Sequence, residues 1–139
     1  MEKNGTIMIV DDNEDVRNMY KDFLYCFAPD LEVIQARNGR EAADKLKELS
    51  QTCSLPYAVL TDFNMPVMNG LELLKFIRNH FIKMRVVMIS GDVTQKLQIS
   101  VTKLDCQLFS KPADMEKVCL TLLEEAEDDF VCYGRLGIF

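Results

Sequence analysis

Short apolar runs alternate along this chain with longer stretches in which apolar residues return every three or four positions. Thr6 to Val10 is a continuous apolar run that ends abruptly in Asp11 and Asp12, the pattern of a strand buried on both faces. Asn13 can cap a following helix that reaches about Phe27, with Val16, Met19, Tyr20, Phe23, Leu24 and Phe27 at helical spacing and Pro29 beyond its end. Leu31 to Ala36 reads as a second strand, and Asn38-Gly39 marks the turn into a helix carrying Ala42, Ala43, Leu46 and Leu49. A polar connection from Ser50 to Pro56 leads to a third strand, Tyr57 to Leu60, which runs into Thr61-Asp62. The loop from Asn64 to Gly70 holds Pro66 and an Asn-Gly pair, and Leu71, Leu73, Leu74, Phe76 and Ile77 form the next helical stripe. Arg85 to Ile89 is a fourth strand closing on Ser90-Gly91. The segment from Asp92 to about Leu104 is a weaker helix, expected to be mobile, because Thr94, Ile99, Val101 and Thr102 lower its propensity. Cys106 to Phe109 is a last short strand before Ser110-Lys111-Pro112, and a helix from about Ala113 to Glu127 is expected to bury Val118, Leu120, Leu122 and Leu123.

Five alternations of strand and helix imply an α/β fold, a doubly wound parallel sheet with helices on both faces. The carboxyl ends of such strands share one edge, and ligands bind there where the strand order reverses. With the flavodoxin-like order 2-1-3-4-5, the first and third strands are neighbours at the reversal, and Asp11, Asp12 and Asp62 converge. Three carboxylates in one cleft repel one another, so a hard divalent cation is their natural compensation, and oxygen-only ligands select magnesium or calcium over zinc. Lys111 and Ser90 reach the same edge and supply a fixed positive charge and a hydroxyl, a constellation suited to phosphoryl transfer onto a carboxylate.

The rest of the composition narrows this picture. At 139 residues, 48% of them apolar, the chain has room for one domain with a core of its own. A net charge of −6 and the lack of a Lys/Arg cluster argue against a nucleic-acid surface. Cys26, Cys53, Cys106, Cys119 and Cys132 show neither a CxxC pair nor zinc-site spacing and read as free thiols. No signal-peptide core and no run of about 18 apolar residues is present, so no membrane is expected and the cytoplasm is the default location.

From Asp11-Asp12 through Asp62, Met65-Pro66, Gly70, Ser90-Gly91 and Lys111-Pro112, the residues resemble the receiver domain of two-component response regulators over nearly the whole chain. The resemblance implies Mg2+ held directly by Asp12 and through water by Asp11, with Asp62 both metal ligand and phosphoacceptor and the Asn64 backbone carbonyl a further ligand. It implies that Asn64 and Asp92 govern the lifetime of the phosphate. Ser90 would swing toward the phosphoryl oxygens and Phe109 would rotate inward, reshaping the surface of the fourth helix, fifth strand and fifth helix. The phosphoryl donor would be a histidine kinase or histidine phosphotransfer protein, the output a downstream effector protein, and the Lys111-Pro112 peptide cis. The domain would span 1–127, as a monomer or weak dimer, with no separate output domain. The apolar tail 128–139 suits covering the output surface, extending the core or seeding a dimer.

Plainer readings stand beside these. A carboxylate at a strand end can simply cap a helix, Ser90 can be a turn residue, Lys111 a solvated cation and Phe109 plain core. Asp11, Asn13 and Asp15 mimic the start of a calcium-binding loop, but Val16 stands where glycine is needed. His80 is expected in solvent or near the helix dipole. Rival functions are a receiver fold that only binds partners, an aspartyl phosphatase of the haloacid dehalogenase type, and a phosphate sink in a relay. Asp11-Asp12-Asn13 lacks the Asp-x-Asp motif of the phosphatase.

Overall fold

Each apolar run folds as a strand because helices cover both of its faces. The structure, a computed structural model, describes residues 5–81 and 83–124. Its elements are β1 (Thr6–Val10), α1 (Glu14–Phe27), β2 (Glu32–Ala36), α2 (Gly39–Ser50), β3 (Ala58–Asp62), α3 (Gly70–His80), β4 (Arg85–Ser90), α4 (Gln95–Lys103), β5 (Gln107–Ser110) and α5 (Met115–Leu123). All pairings are parallel and the strand order is β2-β1-β3-β4-β5, the doubly wound arrangement expected from the sequence.

Alternation along the strands divides the core into two layers. Met8, Val10, Val59, Val86 and Met88 face α2, α3 and α4, whereas Ile7, Ile9, Leu60, Val87 and Ile89 face α1 and α5. Continued past the strand ends, the same alternation puts Asp11 and Asp62 on the side of Ile9 and Leu60. The ladder itself runs on there, with Asp11 N donating to Ala36 O at 3.1 Å and Lys111 N to Ser90 O at 2.9 Å.

The loop between Asp62 and α3 is fixed at both ends. At α3, Asn69 Oδ1 accepts from Glu72 N and Glu72 Oε1 from Asn69 N, both at 2.9 Å, a reciprocal cap that sets where the helix begins. At the strand, Gly70 N donates to Phe63 O at 2.8 Å. Between them Val67 adopts φ 73° beneath a tight turn closed by Met68 N and Pro66 O, a strained state for a β-branched residue.

Two helical faces differ from expectation. On α1, Tyr20 and Leu24 are buried, but Met19, Phe23 and Phe27 are 44, 39 and 43% exposed. They form a stripe flanking the buried one, and part of the buried face is taken instead by Arg17. On α5, Cys119 is buried with Val118 and Leu122, while Leu120 is 51% exposed because it lies across the helix from them. α4 is shorter than expected, opening at Gln95 behind the Thr94 cap. α5 closes at Leu123, with Glu124 extended, and the tail 128–139 lies outside the described residues. Cys26, Cys53, Cys106 and Cys119 are free thiols. His80 is exposed at the end of α3, with Nδ1 2.9 Å from Phe76 O.

Candidate functional site: a three-aspartate cleft beside a lysine

Because β1 and β3 are neighbours, their carboxyl ends deliver three aspartates to one point. One carboxylate oxygen from each of Asp11, Asp12 and Asp62 lies within 4.8 Å of the others. Asp11 and Asp62 are buried, at 3 and 5% exposure, and Asp12 stands at the open side. Lys111, one residue past β5, places Nζ 2.9 Å from Asp62 Oδ1. That contact is an ion pair without hydrogen-bond alignment, and Asp62 Oδ1 and Asp11 Oδ2 remain the buried side-chain oxygens that accept no hydrogen bond among the described residues. The Lys111 ammonium partly compensates Asp62 Oδ1, but Asp11 Oδ2 has neither hydrogen bond nor ion pair among the described residues, a state that is costly for a buried carboxylate unless a cation completes it. An all-oxygen donor set of three carboxylates with one such atom fits a hard divalent ion such as Mg2+.

The electrostatics agree with the geometry. Burial pushes the Asp11 carboxyl from 3.8 up to about 6; the neighbouring charges of Asp62 and Asp12 add to the rise, while the Asn13 backbone N–H and Lys111 oppose it. The Lys111 ammonium is desolvated, which works against its charge, but its ion pair with Asp62 and the Asp11 and Asp12 charges outweigh that and raise its pKa overall. For Asp11 the sign is plain. Its contribution to metal-free stability is present below 3.8 and is lost as pH rises through about 6, whereas a cation needs the ionised form. Apparent Mg2+ affinity should therefore fall about tenfold between pH ~8 and pH ~5, in addition to any loss from other carboxylates. Calorimetric Mg2+ titrations at the two pH values check this; equal affinities would remove Asp11 from the ligand set.

The remaining residues of the expected site lie on the same edge. Ser90 ends β4 and is 1% exposed, and its Oγ accepts from Asp92 N at 3.1 Å, so Asp92 sits directly beyond it with its side chain in solvent. Phe109 is half-buried on β5 and packs on the α1/α5 layer. Asn64 is exposed two residues past Asp62. The Lys111-Pro112 peptide is cis, as expected.

Three supporting residues escaped the sequence reading. Thr61 is buried and donates through Oγ1 to Asp62 O at 2.9 Å. Arg17 Nη1 donates to Asp11 O at 2.8 Å. The Tyr20 hydroxyl is pushed up to about 12 by burial and then by the Asp11 and Asp62 charges.

The family described as response regulator receiver domain matches residues 7–123. The chain belongs to that family. A Treponema denticola protein-glutamate methylesterase/protein-glutamine glutaminase is 30% identical over 134 residues, 93% of this chain and 34% of that protein. The Helicobacter pylori chemotaxis protein CheY1 is 36% identical over 88 residues, 62% of this chain and 67% of that one. A chain from the Borrelia burgdorferi CheX-CheY-BeF3-Mg complex superposes with TM-score 0.73 at 25% identity, covering 86% of this chain and 87% of its own. The chain spans between about a fifth and a third of the length of the methylesterases it matches. Receiver domains are signalling modules that bind Mg2+ at an acidic pocket, and the aspartate cluster of this receiver domain is a set able to hold a metal. Among the described residues no helix is long and apolar enough to cross a membrane.

Proposed function

We propose that this receiver domain accepts a phosphoryl group on Asp62 from a phosphohistidine and relays the change to a partner through the surface formed by α4, β5 and α5. The observation that carries the reading is the three-aspartate cleft in which Asp62 Oδ1 meets the Lys111 ammonium at 2.9 Å while the buried Asp11 Oδ2 has no partner among the described residues. Asp11, Asp12, Asp62 and the Asn64 carbonyl would hold Mg2+, which supplies positive charge opposite the phosphoryl oxygens. The Borrelia neighbour, solved with BeF3 and Mg, supports the same use of this cleft.

Asp62 attacks phosphorus through a carboxylate oxygen while the P–N bond breaks and its electron pair leaves on the imidazole nitrogen. Lys111 is already oriented at Asp62 and offsets charge on the transferring group. The Ser90 hydroxyl, now an acceptor from Asp92 N, turns to donate to a phosphoryl oxygen. Phe109, only half-buried, rotates into the space released. Asn64 and Asp92, exposed at the mouth, set how readily water reaches the acyl phosphate. The donor is a histidine kinase or histidine phosphotransfer protein and the receiver of the signal a downstream effector protein.

Beryllium fluoride with Mg2+ mimics the phosphorylated carboxylate and tests the reading by NMR. Amide shifts are expected at Ser90, Phe109 and across α4, and only when both are present. Shifts confined to Asp11, Asp12 and Asp62 would sink the proposed switch, and no shifts at all would sink the phosphoacceptor.

A further inference from the structure

Arg17 is a buried cation that the phosphoryl transfer described above does not use. It lies on α1 at 8% exposure, on a face otherwise given to Tyr20 and Leu24. Its Nη1 donates to Asp11 O at 2.8 Å and its Nε to Gln35 Oε1 at 2.7 Å. Gln35 is itself held. Its Nε2 donates to Asn18 Oδ1 at 3.3 Å, and its backbone carbonyl accepts from Lys45 Nζ at 2.6 Å. Among the described residues the guanidinium thus bonds a carbonyl and an amide and pairs with no carboxylate.

Burying a guanidinium without a counter-ion is costly, and a Leu or Met would fill the same space on α1 without that penalty. What the cation secures is the peptide between Asp11 and Asp12. The other bonds to this segment leave that peptide's carbonyl unaddressed: Asp11 N is held by Ala36 O, and Asp11 Oδ1 accepts from Asn13 N at 2.9 Å. With the carbonyl pinned to α1, and α1 pinned through Gln35 to β2, the directions in which the two carboxylates leave the chain are set before any ion arrives. The bond from Arg17 to this segment is to the Asp11 backbone carbonyl, so Arg17 acts through the backbone.

We propose that Arg17, braced by Gln35, is a positioning residue that aims the Asp11 and Asp12 carboxylates at a divalent cation. This rests on the reading of the cleft as a Mg2+ site. Groups that orient metal ligands are typically worth about ten- to a hundredfold in affinity, and a loss in that range is expected for Arg17→Met. Arg17→Lys keeps one donor for the Asp11 carbonyl and restores part of the affinity; Gln35→Met leaves the donor unbraced and gives a smaller loss.

Calorimetric Mg2+ titration of the four proteins, with thermal unfolding in EDTA as the second readout, decides the matter. The proposal is overturned if Arg17→Met lowers the EDTA melting temperature yet binds Mg2+ within about twofold of wild type, the signature of packing alone. Should Arg17→Met fail to fold, Gln35→Met decides in its place, with weakened Mg2+ binding in support and unchanged binding against. Wild type that takes up no Mg2+ would refute the metal reading itself, whereas wild type and variants that bind alike would refute only the role of Arg17.

Discussion

Asp62→Asn is expected to abolish phosphorylation and at the same time to make the metal-free protein more stable. With Mg2+ and acetyl phosphate, intact-mass measurement should show wild type gaining one phosphoryl group and the variant none, since an amide oxygen at this position is not a nucleophile. The stability gain follows from the crowding of like charges. Asp62 is 5% exposed, and its charge is among the causes that lift Asp11 to about 6, so removing it relieves a buried repulsion. The ion pair to Lys111 is lost in exchange, but that side chain is 43% exposed, and such a half-solvated pair contributes little. A net gain of about 1 kcal/mol in EDTA is expected from denaturant midpoints, shrinking or reversing once Mg2+ is added, because the variant loses a ligand that wild type keeps. A variant that still gains the phosphoryl mass would move the acceptor elsewhere; one that is less stable in EDTA would mean that the Lys111 pair outweighs the repulsion.

The strands were legible from local signals, and the convergence of Asp11, Asp12, Asp62, Ser90 and Lys111 on one edge followed once the flavodoxin-like strand order was adopted. Apolar runs ending in polar residues mark buried parallel strands, and parallel strands share one carboxyl edge. What was not legible depends on which of two adjacent stripes a helix turns inward. Met19, Phe23 and Phe27 repeat at the same period as Tyr20 and Leu24, and periodicity alone does not say that the first set faces solvent. On α5 the apolar stretch around Leu120 is continuous enough to hide the phase, and Cys119 takes the inward place. The bracing of the site was hidden for another reason. Arg17 meets Gln35 across 18 residues of sequence, a tertiary contact that no motif records, and Thr61 bonds the carbonyl of its own neighbour, a local contact that a threonine in an apolar strand does not announce. The available signal was a charged residue in line with the helical stripe of Tyr20 and Leu24.

Gly70→Ala should be among the most damaging single-methyl changes in the chain, against the sign that helix propensity gives. At the first position of α3, alanine would by propensity gain up to about 1 kcal/mol over glycine. A Cβ there, however, would stand 2.5 Å from Asp62 O and 3.0 Å from Phe63 Cα. Those are backbone atoms on a strand end already bonded to β4 through Phe63 N and Ile89 O at 2.9 Å, so no rotamer change makes room. Overpacking of this kind costs about 3 kcal/mol, which leaves the variant about 2 kcal/mol less stable than wild type. The displaced backbone is that of Asp62, the proposed phosphoacceptor, and a shift of about 1 Å at a reacting group can cost on the order of a hundredfold in rate. Slowed phosphorylation by acetyl phosphate in the folded fraction is therefore expected together with the lowered denaturant midpoint. Gly91→Ala supplies the contrast, since its Cβ would meet only Lys111 Cδ at 3.8 Å, an ordinary contact, and stability should change by less than about 0.5 kcal/mol. If the two glycines tolerate alanine equally, α3 does not press on the Asp62 backbone, and the closeness of helix and strand is not what sets that carboxylate in place.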